Sequence, residues 1–335
     1  MIPTTDDLKS APLTHRNNDL FNPPGLTNFL GTIQVAEGLT GIRSINFPPF
    51  CGSDMITAGL YLDDRYFPAL NLPVTYTWYP DRIIRSCEYK GLKLESVTSL
   101  VVGKQVVIIR LMIKNQSGTE AALRLRLRFQ GGVTHSVDKW ADFMPPSESD
   151  NQVEIDENRK ALLFTARHSE AYILQGLVAD SVAMDRQGGS TSLVLPAGSG
   201  KEVSVIYVLG QTVSTVQTEY EAIINDIPGQ LQRIRSDWNT ELKAIFTPGN
   251  NRYSGSLPEL ETDDVAVQKL YNTGILGVIY FKRDNPHSVY GRAYDTLMPR
   301  YWQTVTFLWD YSLSSNVHAL LDPKVMRKYL EFWMG

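Results

Sequence analysis

Cysteine is scarce in this chain: Cys51 and Cys87 are the only two, too few for a disulfide framework and without the close spacing of a metal site. Both are expected to be reduced core thiols. Charge of either sign is not in excess. The 32 Lys and Arg against 36 Asp and Glu leave a formal net charge of −4, which gives no general attraction to polyanions, so neither nucleic acid nor membrane is an expected partner. Long apolar runs are missing too. The stretch 301–321 is charged only at Asp310, but it carries Gln303, Ser312, Ser314, Ser315, Asn316 and His318, short of the roughly 18 uninterrupted apolar residues of a membrane span. It reads as a buried helix of a soluble protein. The N-terminus MIPTTDDLKS has no apolar core and is not a secretory signal as it stands, so a cytoplasmic location is expected. No G-x-S-x-G, P-loop, dinucleotide-binding or zinc motif occurs, which argues against a serine hydrolase, a nucleotide-dependent enzyme and a zinc enzyme. No cofactor or metal is expected. His135, His168, His287 and His318 have no ligand spacing, and His318 reads as a satisfied core residue.

What is present is strand grammar up to about residue 210. Short β-branched and aromatic runs such as INFPPF, MITAGLYL, RIIRSCEY, ALLFTAR, AYILQGLVA and VSVIYVLG are punctuated by Gly, Pro, Asn and Asp. The clearest pair is QVVIIRLMIK and ALRLRLRF around the turn NQSGTE, which predicts an antiparallel hairpin. In its second arm Leu123, Leu125, Leu127 and Phe129 alternate with Arg124, Arg126 and Arg128, placing a basic row on a solvated face. So many strands without intervening helices predict a large antiparallel β-sandwich. The sequon at Asn115 falls in the turn and is not expected to carry a glycan.

From about residue 215 the period changes to that of helices. Tyr220, Ile223, Ile224 and Ile227 precede Pro228; Leu231, Ile234, Trp238, Leu242 and Ile245 follow it, giving two helices broken near Pro228-Gly229. TPGNNRYSGSLPELET reads as a linker. A third helix opens on Thr262-Asp263-Asp264 and runs through VAVQKLYNTGILGVIYFK. A loop over 284–300 and helices over roughly 302–320 and 323–334 complete the chain. The division is a sandwich over 1–212, a helical linker over 213–260 and the start of a helical domain over 261–335. The final EFWMG has no polar tail, so these helices are expected to dock on the sandwich or to belong to a larger helical domain.

A large sandwich, a helical linker and an R…WD helix opening an all-helical region together resemble the six-hairpin, (α/α)6-toroid glycoside hydrolases. Trehalases, processing α-glucosidases and related disaccharide phosphorylases are of that group. The resemblance covers most of the chain as architecture, and its local motif is Arg300 to Asp310. It implies a β-super-sandwich followed by the first helices of an incomplete toroid. It also implies a carbohydrate substrate, with Asp310 accepting hydrogen bonds from sugar hydroxyls, Trp309 as an aromatic wall and Arg300 as the cation that orders the carboxylate. The Arg300-to-Trp309 spacing is longer than the trehalase-like pattern, so Arg292 competes for that role. The aromatic and polar loop around Tyr294 and Trp302 completes the expected wall. The catalytic acid and base are unknown and expected downstream of Gly335, which leaves this chain alone inactive. The implied activity is that of an inverting α-glycosidase; a glycoside phosphorylase and a non-catalytic sugar-binding or scaffold protein are the alternatives. On the residues themselves, Asp310 in an apolar helix needs a partner, whether a ligand or a structural cation.

Overall fold

The computed structural model describes residues 2–17, 19, 22–36, 38–52, 56–130, 132–135, 151–284, 286, 291–296 and 306–335. The first 210 residues build a sandwich. Its larger layer is a nine-stranded antiparallel sheet in the order Leu13–His15, Val74–Trp78, Arg82–Tyr89, Leu92–Leu100, Val106–Asn115, Gly200–Gly210, Tyr172–Val178, Ala161–Ala166 and Asn151–Asp156. Two five-stranded sheets oppose it. One holds Ala121–Arg128 between Gly188–Leu195 and Gly59–Leu62, and the other is built around Ile42–Phe47. Leu123, Leu125 and Leu127 from one layer meet Ile109, Leu111 and Ile113 from the other in a single buried core.

That contact corrects the hairpin expectation. Val106–Asn115 pairs with Leu92–Leu100 and Gly200–Gly210, and Ala121–Arg128 pairs with Gly188–Leu195 and Gly59–Leu62. The connection NQSGTE is therefore an arch between layers. The physical reason lies in the first strand, where Val106, Val107, Ile108 and Ile109 are all buried. Alternate residues point to opposite faces, so this strand needs cover on both sides, which a two-stranded ribbon with a wet face does not supply. Asn115 holds the arch: its Nδ2 donates to Thr119 O at 2.8 Å and Leu195 O at 2.9 Å, and its Oδ1 accepts from Ser117 Oγ at 2.7 Å. Fully buried and so bonded, the amide has no room for a glycan. Cys87 is a buried free thiol, and burial pushes its pKa up to about 12; the Cys51 side chain lies outside the described residues.

The arginine row is solvated as expected. Arg124 pairs with Asp64 and Arg126 with Asp185, each at 3.0 Å and well exposed to water. Pairs of this kind contribute little. Arg126→Ala is expected to change the unfolding free energy by less than about 0.5 kcal/mol in a urea titration.

The outer face of the nine-stranded sheet is covered by helices. Helix α1 (Val213–Ile224) is capped by Thr212, whose hydroxyl accepts from Thr215 N at 3.1 Å. Helix α2 (Ile227–Ile245) begins where the sequence signals a break: Asp226 accepts from Gly229 N at 3.0 Å with Pro228 in the first turn. Pro tolerates that position because its missing N–H would have no helical partner. Val216, Tyr220, Ile223, Ile234, Trp238 and Leu242 lie against Val106, Ile108, Ile206 and Val208 in a second core. Helix α3 (Val265–Tyr280) is capped by Asp264 and adds Ile275, Leu276 and Ile279 to it.

Beyond α3 the structure departs from the sequence reading. The expected loop contains a small antiparallel pair, Lys282–Asp284 with Arg292–Tyr294. Within the expected 302–320 helix, residues 301–305 lie outside the described residues; the rest divides at Ser314 into α4 (Leu308–Leu313) and α5 (Ser315–Leu321). Helix α6 (Pro323–Met334) follows as expected. The break is local: Ser314 leaves helical geometry at φ −110° and ψ 14°, and its hydroxyl engages His318 Nε2 at 3.0 Å. Among the described residues no helix is long and apolar enough to cross a membrane, and no group of His, Cys, Asp or Glu has the placement to hold a metal ion.

Candidate functional site

Helices α3, α4 and α5 and the residues after the small hairpin enclose a cavity of about 240 Å³. Tyr294, Asp295 and Thr296 form one side, and Asp310, Tyr311, Ser314 and His318 the other. Gly274 and Gly277 of α3 form the floor. Both glycines face open space: a Cβ added at either would meet nothing within 4 Å.

Asp310 lies in the first turn of α4 and is exposed. This corrects the expectation of a buried carboxylate in need of a partner. The desolvation cost that motivated it is absent, and no hydrogen bond or ion pair among the described residues engages Asp310. Its carboxylate is open to a ligand. Trp309 is 75% exposed and does not line the cavity. Arg300 and Trp302 lie outside the described residues.

Tyr294 does line the cavity, and its ring is fixed from behind. Its hydroxyl donates to Asp322 Oδ2 at 3.2 Å, and its backbone N donates to Tyr329 Oη at 3.2 Å. Burial first, and then the Asp322 carboxylate, hold the Tyr294 phenol well above its ordinary range, so it stays protonated. Tyr311 stacks on His318 with ring centroids 4.1 Å apart and planes within 3°. Ser314 Oγ lies 3.4 Å from Tyr311 O and is placed to donate to it. In that arrangement His318 Nε2–H donates to Ser314 Oγ, and His318 Nδ1 presents a lone pair. The expectation of a fully satisfied His318 therefore holds for one ring nitrogen only, because Nδ1 and the Tyr311 hydroxyl are buried without a partner. Orphaned buried atoms of this kind are uncommon in folded proteins.

Arg292 is not the cation of Asp310. Its guanidinium donates to Asp284 Oδ1 at 2.5 Å, to Asp322 Oδ2 at 3.0 Å and to the Arg252 carbonyl. It belongs to a charged network behind the cavity that the sequence reading missed. Buried Glu241 on α2 accepts from Lys282 Nζ, from the Tyr253 hydroxyl and, at 2.5 Å, from Arg252. Lys282 also meets Asp284 at 3.1 Å, and its ammonium sits 4.2 Å from the Phe29 ring centroid. Asp322 accepts from Ser254 Oγ at 2.8 Å. The network ties the linker helix, the 250–254 loop, the small hairpin and the start of α6 into one support. One signal was available. Glu241 occupies the apolar stripe of α2, at helical spacing from Ile234, Trp238 and Ile245, where an acid requires an internal partner.

The chain matches no family model and no curated protein sequence. It is similar to solved structures at low identity. One is described as a kojibiose phosphorylase from the human microbiome, at 10% identity and TM-score 0.49, covering 77% of this chain and 39% of that one. Another is a bacterial glucoamylase complexed with acarbose, at 10% identity and TM-score 0.45, covering 81% of this chain and 44% of that one. A third is a family GH92 inverting mannosidase from Bacteroides thetaiotaomicron, at 8% identity and TM-score 0.42, covering 77% of this chain and 36% of that one. The chain spans about two fifths of the length of each of these structures.

Proposed function

We propose that this chain is the N-terminal part of a carbohydrate-active enzyme, an inverting α-glycosidase acting on glucosides or similar sugars, and that it contributes one wall of the sugar subsite. The observation that carries the reading is the cavity beside Asp310. It combines an open carboxylate, the rings of Tyr294 and Tyr311, and the hydroxyls of Thr296 and Ser314. A sugar presents hydroxyls to carboxylates and C–H faces to aromatic rings, and a largely concave wall with a few placed polar groups suits it.

The division of labour follows from the other carboxylates. An inverting glycosidase needs one carboxylic acid to protonate the leaving oxygen and one carboxylate to activate water on the opposite face. Asp295 is paired with Arg283 at 2.7 Å, and Asp322 with Arg292, so neither is free for such work. Asp310 holds hydroxyls, and the acid and base belong to the rest of the protein. A phosphorylase would differ there, with phosphate replacing water.

Asp310→Asn is expected to weaken binding of methyl α-glucoside to this chain about tenfold or more, the scale of a hydrogen bond to a charged group. The melting temperature should move by less than about 1 °C, since the side chain is exposed and unpaired. In the whole enzyme the same change abolishes turnover. Unchanged sugar affinity, or a collapse in stability, would show Asp310 to be structural. Normal binding with no turnover by the whole protein would make it a sugar-binding module.

A further inference from the structure

The cavity beside Asp310 is bordered by a second cavity of about 330 Å³ on the sandwich side of α3. Its walls are Pro24, Gly25 and Trp78 from the sandwich, Leu276 and Tyr280 from α3 and Phe281 just after it, and they are carbon almost throughout. Gly277 and Phe281 line both cavities. Because Gly277 has no side chain and the space above it is open, nothing at that position separates the two. Glycine in a helix interior costs about 1 kcal/mol relative to alanine, and here it leaves open space on the shared wall that any larger residue would occupy.

The apolar lobe is built rather than incidental. Trp78 Nε1 donates to Gly25 O at 2.9 Å, which fixes the indole, and its ring lies 6.1 Å from that of Tyr280. Gly25 is required at this point, since a Cβ there would come within 2.8 Å of Ile33 O and 3.3 Å of Tyr280 Oη. The polar lobe also holds buried polar atoms without a partner, Tyr311 Oη and His318 Nδ1.

We propose that the two cavities form one elongated site whose polar lobe takes a sugar ring and whose apolar lobe takes a hydrophobic aglycone, aryl or alkyl, attached to that sugar. The inference rests on the sugar reading of the Asp310 cavity and extends it to a substrate class. A hydrophilic sugar alone leaves the Trp78, Leu276 and Phe281 walls wet. An aglycone crossing Gly277 removes that apolar surface from water, at about 25 cal/mol per Å².

The test is titration of this chain with the methyl and phenyl α-glycosides of glucose, mannose and galactose, and with phenol alone. For the sugar that binds, the phenyl glycoside is expected to bind about tenfold more tightly than the methyl glycoside. Trp78→Ala, which touches the apolar lobe alone, should remove most of that gain while leaving methyl glycoside affinity within about twofold, and Gly277→Leu should weaken the phenyl glycoside more than the methyl one. Since leucine is a good helix former at an exposed helical position, the Gly277 variant is expected to fold, and its melting curve checks this. Equal affinity for methyl and phenyl glycosides overturns the aglycone lobe and leaves the sugar reading intact. Binding of phenol as tight as that of the phenyl glycoside, insensitive to Asp310→Asn, overturns both. So does failure of every glycoside to bind.

Discussion

Glu241→Ala is expected to lower the unfolding free energy by about 3–5 kcal/mol, measured by urea titration at neutral pH. Breaking a buried ion pair from one side leaves an uncompensated charge, and that is the usual scale of the loss. Here the stranded group is Lys282, whose side chain is 2% exposed. Glu241 is its most buried acceptor, and Tyr253 and Arg252 lose the same carboxylate. Lys282→Met combined with Glu241→Leu should recover part of the loss, because an apolar pair of similar volume has no charge to strand. Burial alone would raise the Glu241 pKa, but Lys282, Tyr253 and Arg252 outweigh it and hold the carboxyl below its usual range. A depressed carboxylate contributes stability that is present above its unfolded value, near 4.3, and lost as pH falls through the folded one. A loss below about 1 kcal/mol for Glu241→Ala would mean that the network contributes position without energy.

The same residues explain what could be read from the sequence and what could not. The cap at Asp264, the helix break near Pro228-Gly229 and the solvated arginine row depend on neighbours within a few residues, and the sequence displays them. The arch at Asn115–Glu120 looked like a hairpin because a turn reports that the chain reverses, not whether its two arms share a sheet. The run Val106–Ile109 held the missing clue, since four consecutive buried residues require cover on both faces. Asp310 was overrated as buried because helical spacing gives the face of a residue and not what packs on that face. Asp322 was passed over for the opposite reason. Set before Pro323 it resembles an ordinary helix cap, yet its partners, Arg292, Tyr294 and Ser254, come from two segments distant in sequence, the small hairpin and the 250–254 loop. Charge networks closed by tertiary contacts leave only indirect marks in a sequence, such as an acid on an apolar stripe.

His318 gives the second large effect, through pH. The ring is 2% exposed, with Tyr311 stacked on it and Tyr294 meeting it edge-on. Burial pulls its pKa down to about 4, with the Asp322 carboxylate opposing only in part. The other groups against it are Ser314 and the two tyrosines, whose phenols stay neutral because burial raises them. The unfolded chain takes up the proton near pH 6.5 and the folded chain does so only near 4, so between those values the unfolded state binds more protons. Stability is therefore full above about pH 6.5 and is lost as pH falls toward 4, by up to about 3 kcal/mol from a 2.5-unit separation at 1.36 kcal/mol per unit. The part of that window above pH 5 is diagnostic, because Glu241 and Asp284 are held below their ordinary values and titrate lower. His318→Phe keeps an aromatic ring on Tyr311 and should flatten the slope between pH 6.5 and 5 in thermal melts. A slope unchanged by that substitution would assign the acid sensitivity to another group.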